Sequence, residues 1–351
     1  MTSVLDLARP DILRLAPYQH AAWNASLERM HANEMPWRAQ GDNTLLGLNR
    51  YPEPQPRALL ERLALLYQVP PERILAGRGS DEAIDLLVRA FCRAGQDAVV
   101  ICPPTFGMYR VAARIQGAEV VEVPLLSESC ALNLPAVTAA GLEAKIVFLC
   151  SPNNPTGNLL AEPDILDLAR KLTGSALVVV DEAYVEFADR PSLARHLDAL
   201  PNLVVLRTLS KAYALAGSRC GAMLAAPEIV ALLRRIIPPY AITSSTVDEV
   251  LALTEAPQRA LGAARIATLL EERELLGRRL AKLPFVNRVF PSDANFLLVR
   301  CSDPAQVVEA ACSAGLLLRD FSGVPGLGGC VRITVGTPEQ NQRLLGALES
   351  R

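Results

Sequence analysis

Histidine is scarce in this chain of 351 residues, and its cysteines form no ligand pairs. The three histidines, His20, His31 and His196, lie far apart without metal-ligand spacing, so a histidine metal centre is not expected. The eight cysteines are scattered with no Cys-x-x-Cys pair, and most lie in apolar sequence. We expect them to be reduced, which favours a cytoplasmic protein without disulfides.

A strong charge imbalance and long apolar runs are also missing. The formal net charge is -2, which disfavours a nucleic acid as the main partner. Half of the residues are hydrophobic, but no apolar run reaches the roughly 18 residues that a membrane span needs. The first residues, Met1–Asp6, have no signal-peptide pattern. We therefore expect a protein without a membrane anchor.

Short apolar segments alternate with helical patterns through the middle of the chain. Five segments are predicted as buried strands: 98–102, 120–123, 146–150, 177–180 and 203–206. Because these segments are almost continuously hydrophobic, they indicate a parallel sheet that helices cover on both faces. Residues 80–94 have apolar side chains at helical spacing behind Ser80, a suitable N-cap.

The pattern changes after about Pro227. A long charged helical stretch, about 246–283, precedes strands at 295–299 and 331–335, and these alternate with helices near 304–314 and 338–349. We predict an α/β protein of two domains. The large domain has a mostly parallel sheet between helices and spans residues 46–230; the small α/β domain comprises residues 1–45 and 231–351.

The strongest local signal for chemistry is the segment Thr208-Leu209-Ser210-Lys211, which directly follows a predicted strand. Open α/β sheets bind ligands where strands end, so this lysine is expected in a cleft, although an isolated lysine is more often solvated. Arg219 follows eight residues later. Two hydroxyls and a guanidinium together are typical of a phosphate site.

Three further segments have polar residues beside predicted elements. Gly77-Arg78-Gly79-Ser80-Asp81-Glu82 enters a helix and offers free N–H groups to an anion, although such a segment alone is more often an ordinary capped turn. In Asp181-Glu182-Ala183-Tyr184 the aspartate could bind a pyridinium nitrogen, coordinate Mg²⁺ or cap a helix. Ser151-Pro152-Asn153-Asn154-Pro155-Thr156-Gly157 could aim an asparagine inward, or be a structural turn.

Together these four segments indicate one ligand, pyridoxal phosphate (PLP). They supply a phosphate site, a carboxylate for an aromatic nitrogen and a lysine for an electrophilic carbon. Asp181 would keep the pyridine nitrogen protonated so that the ring accepts electrons. An asparagine of the segment 151–157 and Tyr184 would bond the ring oxygen O3′. Lys211 would form a displaceable Schiff base and then move protons.

The same segments resemble the fold-type-I aminotransferases. Further motifs resemble the histidinol-phosphate aminotransferase branch of that family: Asn49-Arg50-Tyr51-Pro52-Glu53-Pro54-Gln55-Pro56, GRGSDEAIDLLVRAF, CPPTFGMY, RTLSKAYALAGSRCG and Val331-Arg332-Ile333-Thr334-Val335-Gly336-Thr337. The similarity extends from about Tyr18 to the C-terminus. It implies transfer of an amino group between L-histidinol phosphate and 2-oxoglutarate in L-histidine biosynthesis.

The resemblance also implies a role for each matching residue. The catalytic residues would be Lys211, Asp181 and Tyr184, with Phe106 stacked on the cofactor ring. The implied phosphate ligands are Gly79, Ser80, Asp81, Thr208, Ser210, Arg219 and, from the partner subunit of a homodimer, Tyr51. The implied substrate residues, which include two arginines for its anion, are Tyr18, Asn33, Tyr51, Asn154, Tyr240, Arg319 and Arg332.

One motif departs from the family pattern. The family's Asn-Glu-Asn-Pro-Tyr-Gly is here Asn33-Glu34-Met35-Pro36-Trp37-Arg38, which changes the lining expected at the substrate entrance. For Arg319 a surface ion pair with Asp320 is the alternative to substrate binding.

Other activities fit parts of the same sequence. An aromatic-amino-acid aminotransferase and a threonine-phosphate decarboxylase share the scaffold, and amino-donor profiling would separate them. A non-catalytic PLP-binding regulator is disfavoured, because such proteins have an added DNA-binding domain for which there is no room before Tyr18. A nicotinamide dehydrogenase is disfavoured because Glu82 replaces the third glycine of the dinucleotide motif.

Overall fold

A computed structural model describes residues 3–19, 24, 26–45 and 47–350, and His20 lies outside them. Its α-helices are α1 Pro10–Arg14, α2 Arg57–Tyr67, α3 Ser80–Phe91, α4 Met108–Gln116, α5 Leu134–Leu142, α6 Glu162–Lys171, α7 Pro227–Leu233, α8 Ser244–Leu253, α9 Ala256–Leu280, α10 Pro304–Ser313 and α11 Pro338–Glu349. Its strands are β1 Ile74–Gly77, β2 Ala98–Ile101, β3 Glu119–Glu122, β4 Ile146–Cys150, β5 Leu177–Asp181, β6 Leu203–Thr208, β7 Gly221–Leu224, β8 Val286–Val289, β9 Phe296–Cys301, β10 Arg319–Asp320 and β11 Cys330–Thr334.

The larger sheet has the strand order β1-β7-β6-β5-β4-β2-β3. The strands β6, β5, β4, β2 and β3 are parallel, as predicted. The strands β7 and β1, which the sequence did not reveal, are antiparallel to their neighbours. The mostly parallel sheet is thus confirmed. It brings the ends of β4, β5 and β6, and the segments that follow them, to one edge.

Helices cover both faces of this sheet because its strands have apolar side chains on both. On one face, α2, α5 and α6 pack on side chains such as Val147 and Val178; on the other, α3, α4 and α7 pack on side chains such as Phe148 and Val179. Full burial of one such side chain stabilises the fold by about 1.5–3 kcal/mol. Two apolar layers therefore hold the sheet edge that bears the polar segments.

The smaller sheet is antiparallel, with the order β10-β11-β9-β8, and packs against α9, α10 and α11. The sequence predicted one helical stretch over 246–283, but the structure has two helices separated by Thr254 and Glu255. Pro257 lies in the first turn of α9, where its missing N–H is tolerated. The same proline could not continue α8, which explains the break.

The start of the chain packs on the large sheet. Val4 and Leu7 belong to the core around α3 and α7, and the Arg9 amide donates to the Ala90 carbonyl at 2.9 Å. The expectation that the first 45 residues pack on the small domain is therefore wrong for this segment. The division of the chain at 45/46 and 230/231 stays a prediction.

No helix in the described part of the chain is both long enough and apolar enough to cross a bilayer.

Candidate active site

A pocket opens at the edge of the large sheet where β4, β5 and β6 end. Eleven residues predicted to bind the cofactor line it: Gly79, Ser80, Asp81, Phe106, Asn154, Asp181, Tyr184, Thr208, Ser210, Lys211 and Arg219. Cys150, Ala183 and Ala216 complete the lining. The four segments singled out from the sequence therefore meet in one place.

One end of the pocket is rich in hydrogen-bond donors. The Ser210 amide and hydroxyl contact Thr208 Oγ1 at 3.1 and 3.0 Å, and Arg219 Nη1 lies 3.5 Å from Ser210 Oγ. The N-terminus of α3 points here, and its N-cap residue Gly79 supplies no side-chain hydrogen bond. The first amides of this helix are thus left for an anion, which the helix dipole also favours.

Gly79 is needed at this end for two reasons. Its φ is +91°, a backbone conformation that residues with a side chain rarely adopt. A Cβ atom there would also lie 3.1 Å from Arg219 Nη2. Strand β7 also passes close to Gly79, because a Cβ on Gly221 would lie 2.8 Å from the Gly79 Cα. The glycines let the guanidinium reach the helix N-terminus, where an anion is bound best.

Asp181 is the buried carboxylate at the other end of the pocket. Its Oδ1 accepts the Ala183 amide at 3.1 Å, and its Oδ2 accepts the Tyr109 hydroxyl at 2.9 Å. Burial raises the pKa of Asp181 to about 6, and the bond from Tyr109 opposes this shift. A cationic nitrogen would favour the ionised carboxylate here. Tyr109 was not predicted as a site residue, although it ends the motif CPPTFGMY.

Lys211 lies between these two ends. Its Nζ is 5.8 Å from the ring centroid of Tyr184, whose hydroxyl is 3.5 Å from Asn154 Nδ2. Burial lowers the pKa of Lys211, and the positive charge of Arg332 lowers it further. More of this amine is therefore neutral at a given pH than in a solvated lysine, as a nucleophile or proton acceptor requires.

The two predicted substrate arginines line an adjoining cavity that shares Phe106, Asn154, Tyr184 and Lys211 with the first. Arg332 Nη1 donates to Asn154 Oδ1 at 2.5 Å, which ties β11 of the smaller sheet to the pocket. Arg319 is exposed and lies over the Phe321 ring. Asp320 accepts the Ser322 amide at 2.7 Å, so the carboxylate beside Arg319 bonds elsewhere.

Four predicted residues line neither the Lys211 pocket nor the adjoining cavity. Asn33, Tyr51 and Tyr240 line a separate cavity, in which the rings of Tyr51 and Tyr240 stack with centroids 4.6 Å apart. Tyr18 lies close enough to Tyr240 to contribute to its raised pKa, after the larger effect of burial. The chain thus brings its predicted residues together in two groups.

Tyr51 is held by an ion-paired cluster that the sequence did not reveal. The Glu34 side chain, which is almost fully buried, pairs with Arg29 and with Arg50 and accepts the Tyr51 amide at 2.7 Å. Arg29 also donates to the Tyr51 carbonyl at 3.0 Å. Both backbone groups of Tyr51 are therefore fixed, which gives Glu34 of the altered N-terminal motif a structural role.

The residues of the pocket fit PLP. Hydroxyls, a guanidinium and uncapped helix amides suit its phosphate, and the buried carboxylate of Asp181 suits its ring nitrogen. Phe106 lines the space between, and Lys211 is within the same cavity. Within the described ranges, no three histidine, cysteine, aspartate or glutamate side chains group as metal ligands.

The chain belongs to the family of class I and II aminotransferases, whose sequence model matches residues 33–348. It is 48% identical to a histidinol-phosphate aminotransferase of Stenotrophomonas maltophilia, over 99% of this chain and 97% of that protein. The cofactor of the chain is PLP, and the protein is a transaminase, as the sequence predicted.

Two solved structures extend the comparison. A histidinol-phosphate aminotransferase from Sinorhizobium meliloti in complex with pyridoxal-5′-phosphate aligns with a TM-score of 0.77 and 27% identity, over 86% of this chain and 82% of that one. An L-threonine-O-3-phosphate decarboxylase from Porphyromonas gingivalis aligns with a TM-score of 0.72 and 26% identity, over 86% and 90%. The predicted architecture is confirmed, and the fold is shared by enzymes of different reaction type.

Proposed function

We propose that this chain is a histidinol-phosphate aminotransferase of L-histidine biosynthesis. It transfers an amino group reversibly between L-histidinol phosphate and 2-oxoglutarate, with imidazole acetol phosphate and L-glutamate on the other side of the reaction. The observation that carries the choice of substrate is the 48% identity to a protein of that name along nearly the whole chain. The pocket alone supports a PLP enzyme, and the rival activities share its scaffold.

The residues of the pocket divide the work of the transfer. PLP, when bound, supplies a ring that accepts electrons from the carbon that loses its proton. Asp181 holds the ring nitrogen in its protonated form, and Tyr184 and Asn154 orient the ring oxygen. Lys211 Nζ takes the proton from the substrate carbon and returns it, a task for which its lowered pKa suits it.

Arg332 and Arg319 bind the anion of each substrate in turn. Histidinol phosphate has a phosphate and no carboxylate, whereas glutamate has two carboxylates. A guanidinium presents a planar pair of donors that fits both groups. One site therefore serves both half-reactions in sequence, a ping-pong scheme.

The active enzyme is proposed to be a homodimer in the cytoplasm with shared sites. In this account Tyr51 reaches the cofactor phosphate of the partner subunit, while Tyr18, Asn33 and Tyr240 contact its substrate. The support is that these residues lie outside the chain's own Lys211 pocket. Nearby apolar side chains are also exposed, Met30 to 96% and Trp37 to 75%, and contact with a second subunit would bury them.

The test is amino-donor profiling of the purified holoenzyme with 2-oxoglutarate as acceptor. Histidinol phosphate should support glutamate formation far better than phenylalanine, tyrosine or threonine phosphate. Release of carbon dioxide from threonine phosphate without glutamate formation would instead establish a decarboxylase. Preference for an aromatic amino acid would establish the other rival.

A further inference from the structure

Tyr109 lies in α4 and is completely buried behind the cofactor pocket. Its ring stacks on Phe148 of β4 with centroids 4.9 Å apart, and Phe106 meets its edge at 5.6 Å. A strand residue on one side and a residue of the loop before α4 on the other therefore fix the ring plane, and with it the position of the hydroxyl. That position is 2.9 Å from Asp181 Oδ2.

The carboxylate of Asp181 is held from two directions. The Tyr109 hydroxyl donates to one oxygen, and the Ala183 amide donates to the other at 3.1 Å. Because the donors lie on different elements, rotation of the carboxylate would break at least one bond. Each oxygen keeps acceptor capacity for a further donor in the pocket.

Several other ionisable groups face Asp181. Besides Tyr109, they are Asp81 of α3, Cys150 of β4, Glu182 and Tyr184 after β5, and Lys211 after β6. Burial raises the pKa of Asp181 most, the Tyr109 bond lowers it, and the charges of Asp81 and Glu182 raise it by smaller amounts. Burial and the nearby carboxylate raise the pKa of Tyr109 well above its ordinary value, so its hydroxyl stays a donor.

We propose that Tyr109 is a positioning residue of the cofactor site, whose hydroxyl orients Asp181 toward the ring nitrogen of PLP and keeps this carboxylate ionised. Only the hydroxyl has this role, because a phenylalanine ring would keep the stack on Phe148. The proposal concerns the cofactor and does not depend on which amino donor the enzyme uses.

Tyr67 provides a matched control. It too is a buried tyrosine of the large domain, on α2. Its hydroxyl is one of the buried polar atoms for which the described residues supply no hydrogen-bond partner. Removing each hydroxyl in turn therefore compares the loss of a bond to Asp181 with the loss of a buried hydroxyl alone.

The test measures how fast holoenzyme releases PLP into a cofactor trap between pH 5 and 9, followed by visible absorbance. At pH 7.5, Tyr109→Phe should release the cofactor about tenfold faster than wild type, since a bond to a charged group is lost. As the solution is acidified, PLP release from this variant should begin to accelerate at a higher pH than release from wild type. The reason is that Asp181 without the Tyr109 bond takes up a proton more easily. Tyr67→Phe should behave as wild type.

A double variant separates positioning from packing. Combined with Asp181→Asn, the Tyr109→Phe change should add less than about twofold to the release rate, because the carboxylate on which it acts is gone. If the double variant released PLP at a rate raised by the product of the two single-variant factors, the proposal would be overturned. So would a Tyr109→Phe holoenzyme whose release rate and pH profile match wild type, or one accelerated equally at every pH.

Discussion

Arg319 and Arg332 lie directly opposite each other on β10 and β11. Like charges in such a pair repel. Burial lowers the pKa of Arg332, and the charge of Arg319 adds a smaller effect in the same direction. The Phe321 ring lies 6.0 Å from the Arg319 guanidinium and 5.4 Å from that of Arg332, which compensates part of the repulsion. An anion between the two arginines would remove the rest. This arrangement supports the proposed role of both arginines in binding a negatively charged substrate.

Replacement of Arg332 should impair both halves of the reaction. Arg332→Ala removes a guanidinium that we assign to the phosphate of histidinol phosphate and to a carboxylate of glutamate. Loss of such bonds costs about 1.5–3 kcal/mol, so kcat/KM should fall at least about tenfold with each substrate. Single-turnover rates of the two half-reactions, measured separately, check this.

The control for Arg332 is Arg288→Ala. Arg288 is exposed on β8 of the same sheet and lies over the Phe290 ring at 4.4 Å, away from the cavity. This variant should keep both rates. Normal handling of glutamate by Arg332→Ala would contradict the shared anion site.

Tyr18→Phe should affect the two substrates unequally. We assign its hydroxyl to the substrate phosphate alone, so kcat/KM for histidinol phosphate should fall about fivefold or more while that for glutamate changes little. The same single-turnover measurements decide the matter. Equal losses with both substrates would show that Tyr18 has a different role.

Lys211→Ala should abolish turnover, because the chain has only three other lysines and none lines the pocket. We expect kcat to fall by roughly 10²- to 10⁴-fold or more through loss of the proton-transferring amine. Borohydride treatment of wild-type holoenzyme should fix the cofactor on the peptide containing Lys211. The control is Lys171→Ala, since Lys171 pairs with Asp167 on the exposed side of α6. Cofactor mapped to another lysine would refute the assignment.

Asp181→Asn should retain the fold and lose most activity. An amide has nearly the same shape as the carboxylate but cannot hold a cationic ring nitrogen by charge. We expect at least about a 100-fold loss of kcat, because the charge-assisted bond matters more as electrons move into the ring. Far-ultraviolet circular dichroism should be unchanged. Wild-type activity should survive EDTA, and a loss restored by Mg²⁺ would favour the metal role for this aspartate.

Tyr51→Phe should weaken cofactor retention although Tyr51 lies outside the pocket of its own chain. Glu34→Gln should give a milder loss of the same kind, because it loosens the backbone of Tyr51 without removing the hydroxyl. Mixed dimers of Lys211→Ala and a severe Tyr51 variant should recover up to about one quarter of wild-type activity, since one site per hybrid is intact. No recovery after confirmed subunit exchange would show that Tyr51 acts within its own chain.

The sequence predicted best those features that a local pattern encodes. The buried strands β4, β5 and β6 are continuous apolar runs, and the polar segments after them were predicted to share one ligand. The short strands β1 and β7 escaped because four residues with glycine and alanine give no clear periodicity. Their antiparallel pairing depends on contacts distant in sequence, which a single sequence does not show.

The parts of the site that escaped prediction depend on the tertiary structure. Tyr109 falls on the buried face of an amphipathic helix, where an aromatic residue is ordinarily part of the core. Its bond to Asp181 arises because Tyr109 of α4 packs against β4, the strand that neighbours β5. The contacts of Glu34 with Arg29 and Arg50 likewise depend on the conformation of an irregular segment. The sequence spacing of these residues does not predict that conformation.

The most direct test of the proposed function is the first half-reaction of the holoenzyme, followed by rapid-mixing absorbance with one amino donor at a time. With histidinol phosphate, the visible band of the bound cofactor should disappear within one turnover and return when 2-oxoglutarate is added. The second-order rate constant for histidinol phosphate should exceed those for phenylalanine and threonine phosphate at least about 100-fold. Phenylalanine lacks the phosphate and threonine phosphate lacks the imidazole, and a site built for a polar group rejects substrates that leave it unpaired. A larger constant for either competitor, or a band that 2-oxoglutarate does not restore, would contradict the account.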